Sequence, residues 1–308
     1  MPTLDARDIL FIALGLTTIA YVAILVAGLK RPAPAADPAN TEPKNWLLIA
    51  TGFVTNFFDT LGVGSYATTT SIFRHWRLVR DERIPGTLTV GHTLPTIVQA
   101  FIYTRIVPVD SRTLIAMILS AVLGAWLGAG VVSRWPRRRI QIGMGTVLIA
   151  FAIILTTKQL GLASAGGTLL GLSGTKLAAA VTANFVLGAL MTIGIGLYAP
   201  CMIIISLSGM NPTTAFPIMM GSCAFLMPIA SARFVRASCF DRRAALGLLV
   251  GGIPAVLIAA FIVKQLPLYA VQWLVVVIVL YTAANLLRTA YRERIAAVPA
   301  SPEPEIAT

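Results

Sequence analysis

Two stretches of this chain carry one pattern of residues that can hold an anion without a buried cation. Thr60-Leu61-Gly62-Val63-Gly64-Ser65-Tyr66-Ala67 and Thr192-Ile193-Gly194-Ile195-Gly196-Leu197-Tyr198-Ala199 agree at five positions in identical spacing. The hydroxyls of Thr60, Ser65, Tyr66, Thr192 and Tyr198 are donors. The glycines let backbone and ligand approach closely. A helix that resumes after the second glycine, at Ser65 or Leu197, begins with unpaired N–H groups carrying partial positive charge. Two such starts facing one point make an anion site. The candidate substrate-binding set is therefore Thr60, Gly62, Gly64, Ser65, Tyr66, Thr192, Gly194, Gly196, Leu197 and Tyr198. Small residues that serve only close helix packing account for one G-x-G more readily than for a doubled T-x-G-x-G-x-Y-A.

Two titratable residues stand near the first copy. Asp59 precedes Thr60, and an intramembrane acid is a functional candidate by default. It is a proton-coupling candidate, and the alternative is a protonated acid hydrogen-bonded to backbone; the second copy has Met191 in its place. His92 is the other coupling candidate, against a satisfied structural histidine. Asn56, Asn184 and Gln99 read as internal hydrogen bonders, Cys201 as a buried thiol, and Arg105 as a side chain that reaches the interface.

The elements that position these residues are membrane helices. Of the 308 residues 57% are hydrophobic and 12% charged, with a mean hydropathy of +0.82. That charge content is about half the soluble norm of roughly 25%. Several apolar runs reach about 20 residues, the length that spans a bilayer. The net charge of +12 fits basic loops that set topology and meet lipid headgroups, so the expected partners are a small anion and the bilayer. Nucleic acid is not expected; a second copy of the chain is left open. The three cysteines have no C-x-x-C spacing, and with two histidines they give no metal set. No metal and no cofactor are expected.

In order, residues 1–45 comprise a spanning helix, Ile9 to Leu29, and a Pro/Ala-rich linker. Its acids lie before it and its basic pair, Lys30 and Arg31, after it, the reverse of a cleavable signal peptide. Residues 46–158 form a first unit: an apolar run broken at Gly62 and Gly64, then spans at 87–107, 113–132 and 140–157. Residues 159–175 read as an external Gly-rich loop. Residues 176–290 repeat the plan, with a run broken at Gly194 and Gly196 and spans at 216–232, 244–263 and 270–287. Residues 291–308 read as a cytoplasmic tail. Beyond the glycine motif, Gly91 aligns with Gly221, Ala125 with Ala255 and Gln141 with Gln272, so the duplication is internal.

Charge decides whether each broken run crosses the membrane or turns back. If both turn back, the inside holds Lys30, Arg31, Lys44, four arginines in each of the loops 74–83, 134–139 and 233–243, and Arg288, Arg292 and Arg294. That is 18 of the 24 basic residues. If both cross, the inside holds at best 14. The positive-inside rule prefers the first. Arms of about 12 to 16 residues reach roughly 18 to 24 Å, enough for the middle of a 30 Å core. The expected fold is an all-α polytopic membrane protein of two inverted repeats. Each is a re-entrant helical hairpin plus three spanning helices, and one extra N-terminal span precedes them. The N-terminus is then outside and the C-terminus cytoplasmic. Inverted repeats with broken helices are a secondary-transporter plan.

At the doubled glycine hairpins the chain resembles the TauE/SafE family of sulfite and organosulfonate exporters, over roughly residues 46–290. Leu190 to Pro200 is similar to the family's Gly-rich stretch followed by proline. The chain departs from it at Gly64-Ser65-Tyr66 and Gly196-Leu197-Tyr198, where the family often has three glycines, and Pro200 has no counterpart at Thr68. The resemblance implies a permease exporting small sulfur oxyanions across the bacterial inner membrane. Uptake of another small anion is the same-class rival. A membrane-embedded enzyme is the other, and only His92 with Asp59 offers an acid–base pair for it; a non-enzymatic carrier is expected.

Opposite entry of the two hairpins is testable by labelling. Single cysteines replacing Arg74 and Ser208 are expected to react with an impermeant thiol reagent from opposite faces of the membrane. Reaction of both from one face overturns the inverted arrangement.

Overall fold

The computed structural model describes residues 5–30, 44–132, 137–160, 167–192, 196–265 and 267–296. The described chain is all helical, apart from one isolated parallel bridge between Leu169 and Met210. Helix α1 spans Ala6–Leu29. Helices α2 (Asn45–Thr60) and α3 (Ser65–His75) flank the first glycine motif, and a 3-10 turn at Asp81–Arg83 leads into α4 (Ile84–Ile106), α5 (Ser111–Val132) and α6 (Arg137–Gln159). The order then repeats: α7 (Gly174–Met191), α8 (Tyr198–Leu207), a 3-10 turn at Pro212–Thr214, and α9 (Ala215–Ala237), α10 (Arg242–Gln265) and α11 (Leu268–Ala296).

Local chemistry sets the ends. Asp5 caps α1, accepting from the Ala6 N–H while Asp8 accepts from the Asp5 N–H at 3.2 Å, a reciprocal capping box. At the end of α2, Val63 N donates to Phe58 O at 3.0 Å and Gly62 N to Asp59 O at 2.8 Å, with Gly62 at φ +99°. This is a Schellman stop, and it places glycine where an L side chain is strained. Helix α8 ends the same way, with Gly209 at φ +88° and Met210 N bonded to Ile205 O at 3.2 Å.

Packing pairs the two halves reciprocally. Helix α2 packs on α10 and α7 on α5, so each half lends its counterpart helix to the other. Helices α4 and α9, which are counterparts, pack on each other, as do α6 and α11. Contacts give the directions. Leu48 meets Gly247 and Asn56 meets Gly252, so α2 and α10 run parallel. Asn184 Nδ2 donates to Met117 O at 2.7 Å and Gly188 abuts the Ala121 carbonyl, so α7 and α5 also run parallel. Helices α4 and α9 run antiparallel. Asp241 N donates to Thr87 Oγ1 at 2.8 Å, Thr93 and Ser231 share a 2.7 Å hydroxyl bond, and Tyr103 stacks on Phe216 at 5.1 Å. Arg138 bonded to Ala290 O and Gly145 beside Leu287 make α6 and α11 antiparallel.

The start of α2 and the end of α3 lie together. Leu48, Phe73, Ile84, Leu88, Ala244 and Leu248 share one buried cluster. In the second half Lys176 Nζ, at the start of α7, reaches Ser208 O, after the end of α8, at 3.5 Å.

Three details differ from the sequence reading. The arms have 16 and 11 residues in the first half and 18 and 10 in the second, because the turn belongs to neither helix and the incoming arm takes the extra length. Helix α11 runs to Ala296, five residues past Tyr291, where Arg, Glu, Arg, Ile and Ala are adequate helix formers. Five described helices are long and apolar enough to cross a membrane: Ala6–Leu29, Gly174–Met191, Pro212–Ala237, Arg242–Ile262 and Trp273–Tyr291. Four of these, α1, α9, α10 and α11, are among the seven spans expected, and Gly174–Met191 was expected as the arm of a hairpin. Helix α4 is absent from the five because it carries Thr87, Thr93, Thr96, His92 and Gln99, all of them buried against protein rather than lipid. Large side chains such as Leu16, Ile19, Trp126 and Phe261 stay exposed, as lipid contact requires.

The close crossings depend on glycine. A Cβ on Gly251 would collide with the Ile49 carbonyl of α2, whereas one on Gly143 meets nothing within 4 Å. Gly251→Ala is expected to lower stability by about 1–3 kcal/mol, and Gly143→Ala to raise it by up to roughly 1 kcal/mol. Thermal unfolding of the purified variants in detergent checks both.

Candidate functional site

The first glycine break meets α8, the helix that follows the second, inside the bundle. A Cβ on Gly62 would lie 2.6 Å from Met202 Cε of α8, with Met219 of α9 and Ile278 of α11 close by. Gly64 has φ +86° and ψ 130°, a conformation that favours glycine, and caps α3 with no side-chain bond. Leu197 caps α8, also with no side-chain bond, so α8 starts at Tyr198, one residue later than expected. A Cβ on Gly64 or Gly196 meets nothing within 4 Å among the described residues.

Asp59 is the centre of the site. It is buried at the end of α2. Gln99 Nε2, on α4, donates to Asp59 Oδ2 and to Thr60 Oγ1, both at 2.9 Å. The Ser65 backbone N–H and hydroxyl, at the start of α3, and the Tyr198 hydroxyl, at the start of α8, are turned toward the same carboxylate. Tyr103 OH donates to Thr60 O at 2.8 Å, satisfying a carbonyl freed where α2 stops. The carboxylate thus joins both glycine breaks and α4 through donors alone.

His92 has a different role. Asn56 Nδ2 donates to Gly52 O at 2.7 Å, which leaves Asn56 Oδ1 as an acceptor 3.0 Å from His92 Nδ1. His92 Nε2 lies 3.0 Å from Thr69 Oγ1. The single Thr69 hydroxyl proton has two neighbours, Ser65 O at 2.7 Å and His92 Nε2 at 3.0 Å, and the imidazole set between Asn56 and Thr69 ties α2, α4 and α3 together. Asp59 and His92 have separate partners and share no hydrogen bond among the described residues.

Of the sequence candidates, the fold gathers Asp59, Thr60, Gly62, Gly64, Ser65 and Tyr198. Tyr66 lies beside His92, ring centroids 6.1 Å apart, and its hydroxyl reaches Thr89 at 3.3 Å. Thr192 is exposed and bonds back to Ala189 O at 2.6 Å, so it turns away from the cluster. Gly196 is exposed and Leu197 is buried. Gly194 lies outside the described residues. Three site residues were not picked out. Gln99 was taken for interhelical glue and Tyr103 was passed over. Cys223 was read only as a thiol, yet its hydrogen bonds Met191 Sδ at 3.6 Å and it neighbours Tyr198. The available signal for Gln99 was its counterpart: the aligned position in the second half is Ile229, so nothing in the duplicated scaffold asks for an amide there.

Apolar helices in this number, with buried polar groups gathered at two paired helix breaks, define a multi-pass membrane protein with an internal polar site. The described residues include no group of three or more His, Cys, Asp or Glu side chains that could hold a metal. The chain belongs to the TauE/SafE family: the family model "Sulfite exporter TauE/SafE" matches residues 2–155, half its length. The family is one of membrane transporters of sulfur anions. The match takes in α1 to α5 and most of α6, and the second glycine motif lies beyond it. Neither a curated protein nor a solved structure matches the chain.

The histidine tie has a measurable consequence. His92→Leu leaves Asn56 Oδ1 buried without a donor, so a stability loss of about 1–3 kcal/mol is expected. Asn56→Leu in the same chain should add less than its own single effect, since the two share one bond. Unfolding midpoints of the two single variants and the double variant test this.

Proposed function

We propose that the protein is a proton-linked secondary carrier that moves a small sulfur oxyanion, sulfite or an organosulfonate, by alternating access. The carrying observation is the convergence of two helix starts, Ser65 and Tyr198, on one buried carboxylate through uncharged donors. A cage of N–H and O–H groups that accepts a carboxylate suits a sulfur oxyanion by the same chemistry. The open space at Gly64 and Gly196 supplies room beside it.

Helix directions support the inverted-repeat reading. Suppose both broken segments crossed: α4 and α9 would then run parallel, yet they run antiparallel. Suppose only the first crossed: α2 and α10 would oppose each other, yet they run parallel. Suppose only the second crossed: α4 and α9 would again run parallel. Two re-entrant hairpins, residues 45–75 and 174–207, agree with every pairing. Arms α3 and α8 reach roughly 15 to 17 Å at 1.5 Å per residue, half of a 30 Å core. The transport repeats are then 46–158 and 176–290, with 1–45 preceding them, 159–175 outside and 291–308 cytoplasmic. In this arrangement the protein lies in the bacterial inner membrane with its N-terminus outside, and export is the direction its family description favours.

The site and the coupling are tested together by sulfite flux in proteoliposomes, with and without a pH gradient. Flux should respond to the gradient. It should fall at least tenfold in Gly64→Leu, which forces a side chain into φ +86°, and in Gly196→Leu, which fills the open space. Unchanged flux in both folded variants would move the site away from the glycine breaks.

A further inference from the structure

Every partner of the Asp59 carboxylate is a donor, and none is a cation. Gln99 Nε2 donates at 2.9 Å, and the Ser65 N–H, the Ser65 hydroxyl and the Tyr198 hydroxyl are the other donors turned toward it among the described residues. The titratable groups that face it are Tyr66 on α3, Tyr103 on α4, Tyr198 on α8 and Cys223 on α9. All four are uncharged donors at neutral pH, and no Lys, Arg or His of the described residues faces it. The Asp59 carboxylate therefore fills the kind of cage an oxyanion needs, at the start of α3 and against α8.

A second observation concerns the same place. Gln99 Oε1 is fully buried and has no hydrogen-bond partner, although the Gln99 amide nitrogen has two. Turning that amide over brings Oε1 to the carboxyl group. An ionised Asp59 repels it there; a protonated Asp59 donates to it and gives the orphaned oxygen its partner. Gln99 can thus hold Asp59 in either protonation form, donating to one and accepting from the other.

We propose that the Asp59 carboxylate and the transported anion compete for one donor cage, so the anion binds only when Asp59 takes up a proton, with Gln99 turning its amide to hold the protonated acid. This rests on the anion-carrier reading and adds its coupling rule. Protonation withdraws the negative charge from the Ser65 N–H, the Ser65 hydroxyl and the Tyr198 hydroxyl. Those donors then serve the anion, which sits in the open space beside Gly64. One proton enters with each anion, and both move the same way. For a monoanion the pair is electroneutral. An inward proton gradient alone then drives uptake, and export runs when the anion's own outward gradient exceeds it.

The test is binding of methanesulfonate, whose own charge is constant near neutral pH, to the purified full-length protein across a pH series, with sulfite as second probe. Wild-type affinity should rise about tenfold per unit of falling pH above the Asp59 titration, the slope for one linked proton. Adding methanesulfonate to weakly buffered wild-type protein should take up one proton per anion bound. Asp59→Asn, an uncharged isostere, should bind with no pH dependence and more tightly than wild type at the alkaline end. Wild-type binding without proton uptake leaves the carrier and overturns the competition, whether or not the variant folds. An Asp59→Asn protein whose binding keeps its pH slope overturns it as well. No binding of either probe at any pH removes the anion-carrier reading and the competition with it.

Discussion

Between Thr60 and Ser65 the backbone leaves the helix in the interior of the bundle, where no bulk water can complete its hydrogen bonds. A lipid-embedded break is tolerated only if protein groups take over that task. The Schellman bonds from Gly62 and Val63 deal with two carbonyls, and Tyr103 OH takes the Thr60 carbonyl. The Asp59 carboxylate faces the first N–H of α3. Each of these bonds is worth only about 1 kcal/mol net, but each group left bare would cost about 1–3 kcal/mol. The break therefore dictates what surrounds it. Helix α4 must bring Gln99 and Tyr103 to its level, and α4 is polar on the side that faces α2 and α3. That polarity keeps α4 off the list of simple apolar spans while it is among the most buried helices.

The reciprocal packing explains why two breaks are needed. Each half supplies a broken helix pair and the helix that packs on the other half's pair: α10 on α2, and α5 on α7. These crossings are tight, with glycine against backbone at Gly251, Gly124 and Gly188. Close-packed interfaces of this kind shift between discrete arrangements rather than deform continuously. Tyr198 of the second half is turned toward Asp59 of the first, so a movement of one half against the other would change that approach.

The plan of the fold was legible because its signals are local and repeated. A glycine pair inside an apolar run, present twice with Thr, Tyr and Ala in register, marks the two places where the helices stop and restart. The residues that hold the breaks were less legible. Gln99 lies 40 positions from Asp59 and one amide among apolar neighbours reads as helix glue; only the fold brings it to the break. Thr192 shows the converse. It belongs to the repeated motif, yet its hydroxyl returns to its own helix. Motif membership therefore did not fix orientation, because the hydroxyl of a threonine at a helix end can satisfy its own backbone as easily as a ligand.

The two halves share a scaffold but not a chemistry. Asp59, Ser65 and Gln99 face Met191, Leu197 and Ile229 at the corresponding positions of the second half. The second break instead has a soft, uncharged lining, with Cys223 bonded to Met191. A symmetric pair of carboxylates at one point would repel and leave the donors of both helix starts occupied. With a single acid, α2 carries the carboxylate, and α3 and α8 turn the Ser65 and Tyr198 donors toward it. Duplication thus supplies two helix starts, and loss of symmetry confines the acid to the first half, as the proposed coupling requires.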